Sequence, residues 1–148
     1  PREIPQSAPP PITVEHVAAI HEVIAERKAA LRSSRQLARF LCACARHRVP
    51  FKLTAGLHHA LRAPDEASGV RQHGFLNALA ATWAAIDGAD DHAVASLLSQ
   101  TEAEPLLALL DAADTTRLRG LFRSFGSCSV TEPYDELAAL SLVTEEPT

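Results

Sequence analysis

The chain has 148 residues, 47% of them apolar and 5% aromatic, with a formal charge of −4 at neutral pH. That length suits one domain with a sizeable core, and an apolar fraction rich in alanine suits helices packed closely on one another or on a small sheet. The basic residues are scattered rather than clustered, which argues against a nucleic-acid footprint, and no apolar run is long enough to span a membrane.

Three cysteines without framework spacing suit a reducing compartment, so the expected location is the cytoplasm. No signal-peptide pattern opens the chain. It begins at Pro1 and contains no methionine, which fits either a processed terminus or a piece of a longer protein.

Residues 1–12 read as a flexible arm, because five prolines in the first eleven positions forbid helix or central strand. Thr13 is a predicted N-cap for a helix running to about Leu31, with Val14, Val17, His21, Ile24 and Lys28 on one stripe. Ser33 or Ser34 starts a second helix, with Leu37, Phe40, Leu41 and Cys44 on one face. It ends in the basic "ARHR", and Pro50 prevents its continuation.

The segment "VPFKLTA" (49–55) is the first predicted strand, and Gly56 to Gln72 reads as a long polar loop. Phe75, Leu76, Leu79, Trp83 and Ile86 have helical spacing. Asp90 or Asp91 caps a short helix, "PLLALLDAA" forms another, and Asp114 caps a third bearing Leu118, Leu121 and Phe122. "SFGSCSV" (124–130) is the second predicted strand, Pro133 opens a last helix, and 144–148 is an acidic tail. Residues 13–143 thus form a single α/β domain, predominantly helical, with a few short parallel strands flanked by helices and the outline of a partial (β/α) barrel. Two short strands do not make a stable sheet alone, so a second copy or a partner chain is expected to complete it unless further strands hide in the loops.

In parallel α/β folds the ligand site lies at the carboxyl ends of the strands. Lys52, Thr54, Gly56, His58 and His59 belong at the end of the first strand. Gly126, Ser127, Cys128 and Ser129 belong at the end of the second. If the strands are neighbours, these residues face one pocket. A lysine in an apolar strand is expected to be desolvated, which suits either Schiff-base chemistry or an anion contact; the bland alternative is a packed stem with its amine in water.

His58, His59 and His73 are candidate acids or bases, with capping or surface roles as the alternative. His58, His59, His73 and Cys128 make a conceivable zinc set, but their spacing matches no compact metal motif, so neither metal nor cofactor is expected. Asn77 follows His73 by about one turn, which suits a shared outlook on the same loop, with an ordinary solvent-facing polar role as the alternative. The "FGSCS" turn offers small side chains and backbone N–H groups for an anion.

Three blocks carry a resemblance: "FKLTAGLHHALR", "HGFLNALAA" and "FRSFGSCSVTEPYDELAALSLV". Together, and in this order, they resemble the C-terminal portion of a bacterial protein family of unassigned function, whose longer members carry similar blocks late in an α/β chain. "FKLTAG" and "FGSCS" are also similar to strand ends of deoxyribose-phosphate aldolase-like barrels. That likeness implies a reactive or anion-contacting Lys52, and an anion site lined by Gly126, Ser127 and Ser129. The chain lacks the second lysine and the strand count of such a barrel. The functional expectation is binding of a small anionic or carbonyl metabolite, with lyase or aldolase-type chemistry if the protein is an enzyme. A non-catalytic helical interaction module or an inactive truncated relative is the alternative.

Overall fold

The computed structural model describes residues 33–54, 57–64, 70–127 and 130–143. The expected arm, first helix and acidic tail, together with Gly56, Cys128 and Ser129, lie outside the described residues. In chain order the elements are α1 (Ser34–His47), β1 (Phe51–Leu53), β2 (Ala63–Pro64), β3 (Arg71–Gln72), α2 (Phe75–Ile86), α3 (Asp91–Ser99), α4 (Ala103–Asp111), α5 (Thr115–Leu121), β4 (Phe122–Phe125) and α6 (Thr131–Ala139). This is the expected mostly helical α/β class with short parallel strands.

Local chemistry accounts for most element starts. The Ser33 hydroxyl accepts from the N–H of Gln36 at 3.1 Å and begins α1. Asp90 accepts from Ala93 at 2.8 Å and Asp114 from Arg117 at 3.0 Å, which begin α3 and α5. Each side chain satisfies one of the N–H groups a helix start leaves without a carbonyl. At the other end of α1, Arg48 takes a left-handed conformation with φ 54°, and the N–H of Val49 reaches back to the carbonyl of Cys44. That turn aims the chain into β1.

α2 is the hub. Almost its whole circumference is buried, and its run of alanines lets α1, α3, α4 and α5 pack close against it. Phe122, Leu37, Leu41, Leu98 and Leu106 complete the core. Trp83 packs in it from α2, with the Arg117 guanidinium 5.4 Å over its ring.

β1 and β4 pair in parallel, with Lys52 opposite Ser124 and Leu53 opposite Phe125. The N–H of Gly126 continues the ladder to the carbonyl of Leu53 at 2.9 Å. Phe51 and Leu53 turn into the core, where Phe51 meets Phe40 and Phe122 with ring centroids 5.3 Å apart in each case. Arg123 is the extra residue at the register shift between the Phe51 and Lys52 pairs. Short strands, a bulge, and exposed Lys52 and Arg123 are the features that keep a sheet edge from recruiting another strand. Among the described residues the pair gains no third strand, so no barrel closes there.

Three expectations need correction. The second strand is Phe122–Phe125, earlier than 124–130: it follows α5 directly because Phe122 is drawn into the core beside Phe51. The loop expected from Gly56 to Gln72 contains the antiparallel β2–β3 ladder, Ala63 opposite Gln72 and Pro64 opposite Arg71. Lys52 is exposed, since alternation along β1 puts it on the face opposite Phe51 and Leu53.

Candidate functional site

The parallel pairing brings the two expected strand ends side by side. Beyond β1 the chain runs through Thr54 to Leu57, His58, His59 and Ala60; beyond β4 it runs through Gly126 and Ser127 to α6. Adjacent side chains of an extended backbone point to opposite sides, and the two histidines find different partners. His58 Nδ1 lies 3.4 Å from the Ser127 hydroxyl, at the outer edge of hydrogen bonding. His59 Nδ1 lies 2.7 Å from Glu136 Oε1, and the other carboxylate oxygen accepts the Ala60 N–H.

A carboxylate only accepts, so His59 donates from Nδ1, and the neutral ring in this arrangement carries its lone pair on Nε2. This is how a carboxylate orients an imidazole for proton transfer. The two pairs do not chain into a serine–histidine–acid relay: the acid holds His59, whereas the serine faces His58.

The loop carrying the histidines is fastened to the start of α2. The N–H of Phe75 donates to the His59 carbonyl at 2.9 Å, and that of Leu76 to the Ala60 carbonyl at 3.0 Å. Gly74 permits this approach, because a Cβ there would collide with the Ala60 oxygen and the Leu61 backbone. The Phe75 and Phe125 rings stack with centroids 5.0 Å apart and tie the same helix start to β4. All three sequence blocks therefore meet at one end of α2. Its first N–H groups are already occupied, so that helix start offers no anion site.

His73 and Asn77 turn elsewhere. His73 is buried against the last turn of α3, with Nδ1 3.2 Å from the Leu98 carbonyl and 3.0 Å from Arg62 Nη1. A guanidinium at that distance needs an acceptor, so Nδ1 accepts from Arg62. The fully buried Asn77 amide donates to the carbonyls of Leu97 at 2.8 Å and Gln100 at 2.7 Å. Both residues do face one turn, that of residues 97–100, where Asn77 and Arg62 supply donors to the last carbonyls of α3 and His73 positions Arg62. Among the described residues no three histidine, cysteine, aspartate or glutamate side chains converge on a metal position; Cys128 lies outside them.

Lys52 and Thr54 lie on the exposed side of β1, opposite the core. The burial on which a nucleophilic amine depends is lacking there, and the exposed amine is the outcome that the alternative of a solvated lysine describes. Gly126 sits where a Cβ would make ordinary van der Waals contact with Thr54, so the glycine is not sterically required. Glu136 escapes a reading of the sequence because its partner His59 lies 77 residues away. Its only signal was a place in the third block, "TEPYDEL".

Two open clefts lie at the opposite end of α2. One of about 720 Å³ is lined by Cys42, Arg46, Asp90, Asp91 and His92, and the other, of about 590 Å³, by Ala84, Asp87, Ser96 and Leu109. Burial, then the Asp91 carboxylate, push the Cys42 thiol up to about 11, which disfavours the thiolate. Volume is there, but the paired acid–base groups are at the strand ends, and chemistry follows the groups.

No protein-family model, no curated protein and no solved structure matches this chain.

Proposed function

We propose that the protein binds a small anionic or carbonyl-bearing metabolite at the carboxyl ends of β1 and β4, with His59 as its proton-transfer group. The observation that supports this reading best is the His59–Glu136 pair at 2.7 Å, held beside Ser127 and His58 where two parallel strands end. Glu136 is the positioning residue, and Lys52 and Ser127 are the proposed contacts for the anionic group. The reaction class that suits the site is lyase-type chemistry. His59 Nε2 takes the proton from a carbon beside a carbonyl, and the electron pair moves onto the carbonyl oxygen. As the carbonyl re-forms, a carbon–carbon double bond forms, the bond from the β-carbon to its leaving group breaks, and the leaving group departs with the proton from His59. A Schiff base at Lys52 is not part of the proposal, because the amine is exposed. A cytoplasmic location is proposed from the free, buried Cys42 and Cys44.

The test is a ¹H–¹³C NMR titration of the histidine rings with a panel of 2-oxo acids and sugar phosphates. A saturable shift of the His58 and His59 resonances, weakened at least tenfold in Glu136→Gln, is expected. Borohydride added to the same mixtures should leave Lys52 unmodified. If both rings stay silent across the panel while the chain remains folded, the site reading fails.

A second reading rests on α6. Val130 is 86% exposed, and Tyr134 and Leu142 are 42% exposed, around a helix whose clasp to the body includes Glu136. These side chains favour a non-catalytic interaction module that docks a partner or a second copy. Light scattering after size exclusion checks the second-copy form, where a dimer broken by Tyr134→Glu is the expected result.

A further inference from the structure

The β2–β3 hairpin presents a feature that the strand-end site does not use. One step beyond the ladder, Arg62 stands across from His73, and Arg71 lies diagonally from it, opposite Pro64. Residues two apart along a strand share a face, so both arginines look out from the same side of the hairpin. Arg62 is half-buried, yet every contact it makes with the described residues runs through a single nitrogen: Nη1 reaches Ser34 Oγ at 3.3 Å, His73 Nδ1 at 3.0 Å and the Leu98 carbonyl at 3.5 Å. The Nε–Nη2 edge, the fork that grips an oxyanion, meets no partner among the described residues. Ion pairs among the described residues are limited to Arg39–Asp91 and His59–Glu136, and neither involves these arginines.

Burial, and after it the charge of Arg71, pull the Arg62 guanidinium below its ordinary value. Like charges held together in a half-buried place are unfavourable. The partial negative charge at the end of α3 compensates only the Nη1 side. Nearby, the hydroxyl of Ser99 lies 2.9 Å from that of Ser34 and braces the same corner. Two guanidiniums match the charge of a phosphoryl group, near −2, and a fork beside a second cation matches its oxygens.

We propose that this face of the hairpin is a phosphoryl-binding site, built on Arg62 and Arg71 and separate from the strand-end site. Arg62 supplies the bidentate grip, and Arg71 supplies the second charge from the exposed rim. The occupant is a phosphoryl group, either free or carried by an ester.

The test is titration of the full chain at constant ionic strength with inorganic phosphate and with phenyl phosphate, followed by the arginine Nε–H NMR signals. A saturable shift of the Arg62 and Arg71 signals is expected, and the stronger of the two probes tells free ion from ester. Arg71→Ala removes an exposed side chain and should weaken binding roughly tenfold with the fold intact. Arg62→Lys keeps the charge but not the fork and should weaken it by a similar factor. The proposal is overturned by the absence of a saturable shift, or by undiminished binding in Arg71→Ala. It is also overturned if binding emerges only in the Asp65→Asn, Glu66→Gln double variant, because the chain's own carboxylates would then be the anion.

Discussion

The two ends of α2 are built on different physics. At its N-terminal end the contacts are polar and partly wet: Glu136 holds His59 and Ala60, Ser127 faces His58, and loop carbonyls take the first helix N–H groups. At its C-terminal end alanines, Ile86 and the buried Cys42 share the walls of open clefts with Arg46, Asp87, Asp90, Asp91 and His92. The first end has paired acid–base groups, whereas the second has open clefts and a thiol that holds its proton tightly. Hydrocarbon packing is what makes the second end stable. The first relies on a few directional bonds, which is the kind of place where a ligand can compete for them.

Gly74→Ala should break the comparison most severely. Its Cβ has no room against the Ala60 carbonyl and the Leu61 backbone, so the histidine loop must leave the start of α2. A loss of roughly 3 kcal/mol in urea unfolding is expected, along with altered resonances of both histidines. A wild-type-like protein would show that the loop is not fastened there.

Glu136→Gln comes next. A neutral amide cannot accept from both the His59 ring and the Ala60 N–H, so about 1–2 kcal/mol should be lost. Hydrogen exchange should quicken at Ala60 and not at the clefts. Equal quickening at both ends would erase the distinction between them.

At the cleft end the probe is pH. The Cys42 thiol is raised to about 11 in the folded protein from an ordinary value of 9.0, so the folded state holds that proton more tightly. Its contribution is complete below pH 9 and is lost as the pH rises through 11. Wild type should therefore lose stability relative to Cys42→Ala over that interval, by on the order of 1–2 kcal/mol. Parallel pH profiles for the two proteins would mean that the thiol is solvated. The smallest effect is expected where α1 turns into β1: Arg48→Gly relieves the left-handed residue and should add about 0.5–1 kcal/mol. A loss of stability instead would mean that the Arg48 side chain contributes more than its backbone strain costs.

Much of the architecture could be read directly from the residues. The Ser33, Asp90 and Asp114 caps, the Pro50 stop and the apolar spacing of α2 are local signals, and each element formed where its signal stands. The parallel sense of the two strands was also legible, because strands separated by helices run parallel, but their pairing as neighbours, Phe51–Leu53 beside Phe122–Phe125, was not. The β2–β3 ladder was missed because each strand spans two residues and carries no alternation to detect. Phe122 was assigned to a helix because its spacing continues that of Leu118 and Leu121, but contact with Phe51 draws it into β4.

Local signals were enough to place the helices and the first strand, because capping, proline geometry and apolar period act within a few residues. Long-range packing set which way Lys52 points, that His59 meets Glu136, and that Asn77 closes the end of α3 while His73 meets Arg62. Those outcomes join residues far apart in the chain. They are set by which faces must leave water and which buried polar groups must find partners, and no local pattern encodes that.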